Sequence, residues 1–258
     1  MKYNRYIVYI CLAFSAFVSC GGTKGETLIF EENFNGNTLN ASHWNYELGD
    51  GCPNLCGWGN NERQQYTKKN VEVANGNLTI TATKQGGVYQ SGRITTKNKV
   101  EFTYGTIEIR AKLPKGNGLW PALWMLGSNI GTLGWPACGE IDIMEYVGKQ
   151  PGVVHTSLHT PSSFGKTINT KKNQRPDIEE GFHVYKTVWT AGSIRFSIDG
   201  EQVYTYAPSQ KNNKNWPYDK PFYVLINMAI GGDFGGPVVD DSIFPQVFTV
   251  DYIKIYRS

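Results

Sequence analysis

Leu78-Thr79-Ile80-Thr81-Ala82-Thr83 alternates apolar side chains with threonine, one residue after the next. Successive side chains of a strand point to opposite faces, so this stretch can bury one side and wet the other only as a β-strand. The same period of two returns in Thr106 to Leu113, which puts Ile107, Ile109, Ala111 and Leu113 on one face, and in Val153 to His159. Phe182 to Trp189 and Ile194 to Ile198 read as a strand pair running into Asp199-Gly200, a hairpin signal. Thr27 to Phe34 reads as an edge strand, Phe222 to Ala229 as a long apolar strand, and Phe248 to Tyr256 closes the chain. Helical periodicity is almost missing, while 29 glycines and 12 prolines supply turns. The expected fold is all-β, two antiparallel sheets packed face to face. At 258 residues, with no internal repeat, one such domain accounts for the chain.

That domain is expected over residues 27–258. Residues 1–19 read as a targeting segment: basic Lys2 and Arg5, apolar Tyr6 to Val18, then small Ser19 ahead of Cys20. The apolar run is short for a membrane span. Phe17-Val18-Ser19-Cys20 resembles a bacterial lipobox, which implies lipid on Cys20 and residues 20–26 as a tether; an ordinary secretory signal is the alternative. The net charge of +3 falls to about +1 (3 minus 2) without Lys2 and Arg5, so neither nucleic acid nor an anionic surface is favoured as partner. In an exported protein Cys52 and Cys56, flanking three residues of a Gly-rich loop, point to a disulfide staple; a zinc site would need His or Cys that the neighbourhood lacks. Phosphate-binding glycine motifs set between a strand and a helix are absent.

Glu140-Ile141-Asp142-Ile143-Met144-Glu145 carries the chemistry. On a regular strand Glu140 and Asp142 share a face and Glu145 points away. One extra residue at Ile143-Met144, a β-bulge, returns Glu145 to the carboxylate face, and bulges concentrate beside active sites. The two glutamates are then ~13 Å apart at Cα, four rises of ~3.3 Å. Long side chains leaning together can close that to the ~5–5.5 Å a retaining glycosidase needs. A merely solvated acidic face is the bland alternative, but like charges among apolar residues repel at a cost that function explains better. Trp120 and Trp124 share a face if Leu119 to Leu126 is a strand, and Pro121 argues against a helix. Their rings suit stacking on pyranoses, with core packing the competing role, above all for Trp124.

Together with Leu119-Trp120-Pro121-Ala122-Leu123-Trp124-Met125-Leu126 and Gly134-Trp135-Pro136, the carboxylate strand resembles the catalytic core of glycoside hydrolase family 16, in its laminarinase-like branch with the bulged strand. The likeness extends over nearly all of the chain after about residue 28. It implies a curved β-jelly roll with an open concave cleft. It assigns Glu140 as nucleophile, Glu145 as acid and base, and Asp142 between them, where its charge holds the proton on Glu145. It further implies sugar contacts from Asn60 in Trp58-Gly59-Asn60-Asn61-Glu62, and from Arg93, Trp135, His159 and Asn227. No cofactor is implied for the reaction. A structural calcium is, at Glu32, the backbone of Gly76 and Asp251.

The expected function is retaining, endo-acting hydrolysis of β-1,3-glucan, mixed-linkage β-1,3-1,4-glucan, or both. A surface lipoprotein that binds glycans without chemistry is the rival from another class, and a transglycosylase on the same fold is a third reading. A pure binder would not need both glutamates. The protein is expected to act as a monomer, exported to the bacterial outer membrane or cell surface, and to touch the membrane only through its lipid.

Overall fold

The structure, a computed structural model, describes residues 25–257; the targeting segment and Cys20 lie outside them. Two sheets form a β-jelly-roll sandwich. In the ten-stranded sheet the order runs Glu201–Tyr206, Ile194–Ile198, His183–Trp189, Gly105–Lys112, Gln246–Arg257, Asn77–Gln85, Val88–Ser91, Gln64–Tyr66. Thr27–Glu32 also pairs with Gln246–Arg257, joining the first and last of the described strands, and Val71–Ala74 pairs with Asn77–Gln85. Pairing is antiparallel except between Gln64–Tyr66 and Val88–Ser91. Asp199 and Gly200, both at positive φ, make a hairpin from Ile194–Ile198 into Glu201–Tyr206, a strand with no strong sequence signal of its own.

The eight-stranded sheet runs Thr170–Gln174, Val153–His159, Glu140–Tyr146, Leu119–Gly127, Phe222–Ile230, Arg93–Thr95, Asn45–Tyr46, with Glu101–Phe102 also on Phe222–Ile230. Its inward face supplies Leu123, Met125, Ile141, Val224, Ile226 and Met228 to the main core. These meet Leu78, Ile80, Ile107, Ile109 and Ala111 from the other sheet, all fully buried, each larger one worth ~1.5–3 kcal/mol of transfer energy. A second, small cluster of Leu126, Cys138, Tyr223 and Leu225 packs with Trp124 on the opposite side. Alternation along Leu119–Gly127 thus sends Leu123 and Met125 inward and Ala122, Trp124 and Leu126 outward. Single-turn helices Ile130–Leu133 and Gly232–Gly235 are the α-helices among the described residues, and no described helix is long and apolar enough to cross a membrane.

Candidate active site

Glu140 pairs across the ladder with His159 and Asp142 with Ser157, after which the register slips so that Glu145 pairs with His155. Three residues on the carboxylate strand therefore oppose two on its neighbour. The other neighbour sees the same slip, with Trp124 opposite Asp142 and Leu123 opposite Met144. Ile143 and Met144, adjacent in sequence, both enter the main core. Two successive apolar side chains pointing inward are what return Glu145 to the face of Asp142 and Glu140.

An indole N–H reaches each glutamate: Trp135 Nε1 donates to Glu140 Oε2 at 3.0 Å, and Trp120 Nε1 to Glu145 Oε1 at 3.1 Å. Asp142 and Glu145 are buried, 3% and 9% exposed, and Glu140 is intermediate. His159 Nε2 lies 3.2 Å from Asp142 Oδ2 and 3.5 Å from Glu140 Oε1. The buried Tyr218 hydroxyl donates to the His159 carbonyl at 3.0 Å and reaches the Glu140 carbonyl at 3.4 Å, tying the backbones of the two facing residues together.

Burial is the largest cause raising all three carboxyls, each up to about 8. The charge of Asp142 adds to the rise at Glu140 and at Glu145. His159 and the Trp135 N–H oppose it at Glu140; His159, the Trp120 N–H and the Ser157 hydroxyl oppose it at Glu145. A hydrogen bond with Glu140 opposes it at Asp142. Three close carboxyls in such a place titrate as a unit and keep protons among them at neutral pH. One ionised and one protonated glutamate on the same face is the pair that glycoside hydrolysis with a covalent intermediate requires.

Residues 59–253 match the sequence pattern of glycosyl hydrolases family 16. The chain belongs to that family. A laminarinase from Flavobacterium sp. UMI-01 superposes with a TM-score of 0.88 at 61% identity, over 90% of this chain and 100% of that one. The β-glucanase of Rhodothermus marinus is 38% identical over 100% of this chain and 97% of its own length. Glucan endo-1,3-β-glucosidase A1 of Niallia circulans is also 38% identical over 91% of this chain, which spans 38% of that relative.

In this family-16 chain, ladder partners carry the acidic centre outward in both directions. Arg93 pairs with Asn227, Asn227 with Ala122, Ala122 with Glu145, Glu145 with His155, and His155 with Lys172. Directly paired residues share a face, so these six positions form a row ~24 Å long, five inter-strand spacings of ~4.8 Å. At one end Arg93 is mostly buried, pairs with Glu47, and lies over the rings of Trp58 (4.3 Å) and Trp124 (5.1 Å). Asn227 is buried and held at both ends: its Oδ1 accepts from Trp124 Nε1 at 2.8 Å and its Nδ2 donates to the Tyr66 hydroxyl at 3.1 Å. Trp124 also packs on the small outer apolar cluster, whereas Trp135 stands 44% exposed beside Glu140.

Sequence reasoning missed a buried carboxylate beneath this end. Glu62 accepts from Gln64 Nε2 at 2.7 Å and from the Tyr66 hydroxyl at 2.9 Å, both at Oε2, while Gln64 Oε1 accepts from the Ile230 N–H at 2.7 Å. Asn60 donates to Glu62 Oε1 at 3.3 Å and to the Trp58 carbonyl at 3.4 Å, so its amide braces the loop. Trp58 is set at φ +52°, a conformation costly for a bulky residue and held here by that loop. Glu62 and Gln64 lie two apart on sequence that carries no apolar frame to betray their burial. Phe234 was missed too; it sits edge-on to Trp120 at 5.5 Å and to His155 at 4.9 Å.

Cys52 and Cys56 are joined by a disulfide, and Cys138 is free and buried. The residues singled out for calcium do not fit a cation as they are arranged. Glu32 accepts N–H groups from Phe34, His43 and Trp44, and Asp251 is paired with Arg110. Gly76 packs near the Asn33 carbonyl and Asn35. Oxygens already satisfied by N–H donors are poor ligands for a hard cation.

Proposed function

We propose that this protein is a retaining endo-β-glucanase acting on β-1,3-glucan and mixed-linkage β-1,3-1,4-glucan, of the bulged laminarinase-like branch. The observation that carries the reading is the one-residue register slip that brings Glu140, Asp142 and Glu145 onto one face. Glu140 attacks the anomeric carbon to form a glycosyl-enzyme while Glu145 gives its proton to the departing oxygen; Glu145 then takes a proton from water, which attacks the same carbon and frees Glu140. Asp142 keeps the proton on Glu145 before the first step, since two neighbouring carboxylates ionise together only at a cost. The row from Arg93 to Lys172 crosses the sheet on both sides of Glu145, which supports binding of an internal stretch of chain. Trp120, Trp124 and Trp135 offer ring faces along it, and His159 and Asn227 line the same side.

The test is product analysis on laminarin, mixed-linkage glucan and cellulose. Internal cleavage of the first two with little action on cellulose is expected. A glycan-binding protein would retard in a glucan gel and release no reducing ends; a transglycosylase would lengthen part of the chains. No cofactor takes part. Calcium at this place would have to displace the donors already on Glu32 and Asp251, so chelation is expected to leave the melting temperature unmoved, and a clear drop would restore the ion. We further propose anchoring at the cell surface through lipid on Cys20, supported by the residues before it; Cys20→Ala should then leave the membrane fraction, and unchanged fractionation would point to ordinary secretion.

A further inference from the structure

His159 faces two kinds of neighbour, and both ask the same of its ring. On one side the Gly165 backbone N–H donates to Nδ1 at 3.1 Å. An amide nitrogen offers only a proton, so Nδ1 must present its lone pair. On the other side Nε2 meets Asp142 Oδ2 at 3.2 Å and Glu140 Oε1 at 3.5 Å. Carboxyl oxygens offer lone pairs whether or not Glu140 and Asp142 share a proton, and Asp142 Oδ2 is buried. A proton on Nδ1 alone would set N–H against N–H and a lone pair against two carboxyls. Protonating both nitrogens would repair the second conflict and leave the first.

From this we infer that the 160–169 loop, through the Gly165 N–H, fixes His159 as the Nε2–H tautomer and so makes it a donor to the Glu140–Asp142 pair. His159 is then a positioning residue for the nucleophile, beside the sugar contact that the family resemblance implied; the inference rests on reading Glu140 as that nucleophile. The loop is built to hold such a contact. Thr160 and Ser163 exchange backbone hydrogen bonds of 2.9 and 3.0 Å, Thr167 Oγ1 donates to the Leu158 carbonyl at 2.9 Å, and Ser163 Oγ accepts from the Ile168 N–H at 2.9 Å. Gly165 sits at φ +62°, where a side chain strains the backbone. The adjacent Phe164 packs edge-on against Trp135 at 5.3 Å, and Trp135 supplies the other donor to Glu140. One loop therefore holds both groups that stabilise the Glu140 anion.

The decisive measurement is long-range proton–nitrogen NMR of the full-length protein, labelled with nitrogen-15 in its histidines, at pH 7 and without substrate. His159 is assigned by loss of its signals in His159→Gln or, by elimination, from single variants of His43, His155 and His183. A pyridine-like Nδ1 with a pyrrole-like Nε2 is expected; the opposite tautomer, or two protonated nitrogens, would overturn the inference. Kinetics give a second readout. In His159→Asn the amide can accept from Gly165 but stops short of the carboxyls, so the acid limb of kcat/KM should move up by roughly half to one pH unit. His159→Gln, whose amide nitrogen reaches the Nε2 position, should restore most of that shift. Equal shifts in both variants, or none in either, would count against the donor. Because the NMR result needs no turnover, it separates failure of this inference from failure of the glucanase reading.

Discussion

Glu140 and Glu145 lie near opposite ends of one strand, each receives an indole N–H, and burial pushes each up to about 8. They differ in what lies across the ladder. Glu140 faces His159, whose Nε2 is in reach, and its indole comes from half-exposed Trp135. Glu145 faces His155, which burial, then Lys172 and Lys149, push down to about 4, so that its ring is neutral at working pH. Its indole comes from Trp120 on the adjoining strand. Burial by itself does not separate nucleophile from acid. On the proposed roles the cross-strand partners are what differ: Glu140 has the His159 ring in reach, whereas Glu145 faces the neutral His155 ring and has the Ser157 hydroxyl as its further donor, while the Asp142 charge raises both.

The comparison breaks most visibly on substitution. Glu140→Gln should lose at least about three powers of ten in turnover on every glucoside, because no covalent intermediate can form. Glu145→Gln should lose ~10²–10⁴-fold on glucan yet recover much of that on an aryl β-glucoside, whose leaving group departs without a proton. Rate assays on both substrates check this; equal recovery by the two variants would erase the asymmetry.

A smaller effect sharpens it. Trp135→Phe and Trp120→Phe each remove one donor to a carboxylate, worth ~1.5–3 kcal/mol when that group is ionised. Loss of a donor raises the carboxyl it served. Trp135→Phe should therefore shift the acid limb of the pH–rate profile upward, and Trp120→Phe the basic limb upward. If the two variants moved the same limb, the roles at the two ends would have to be redrawn.

The smallest effect is on stability. Carboxyls raised in the folded state bind more protons than the unfolded chain between roughly the ordinary carboxylate range and about pH 8, so their contribution falls as pH rises through that window. Asp142→Asn or Glu145→Gln should then melt higher than wild type by a few degrees at pH 8, with the gap closing toward pH 4. A melting series across pH reads this directly, and a variant less stable at pH 8 would contradict it.

The carboxylate strand was legible because its information is local: Ile141, Ile143, Met144 and Tyr146 supply the inward pattern, and the extra apolar residue announces the slip. Ile107, Ile109, Ala111 and Leu113 were readable for the same reason. The rest of the site depends on distant partners. The resemblance offered Arg93 and Asn60 as sugar contacts, but nothing local foretells that Glu47, Trp58 and Trp124 close around Arg93 or that the Asn60 amide reaches Glu62. Tyr218 and Phe234 sit in turn-rich segments, where no period foretells that one will brace the Glu140–His159 pair and the other Trp120.

Retention needs carboxyl groups ~5–5.5 Å apart, the arrangement proposed for Glu140 and Glu145 on their shared face, whereas inversion needs ~6.5–9.5 Å and a water between them. Proton NMR of the nascent reducing end, recorded within minutes of adding enzyme to laminarin, tests this most directly. The β-anomer should appear first and mutarotate afterwards. Initial release of the α-anomer would contradict the double displacement and, with it, the roles given to both glutamates.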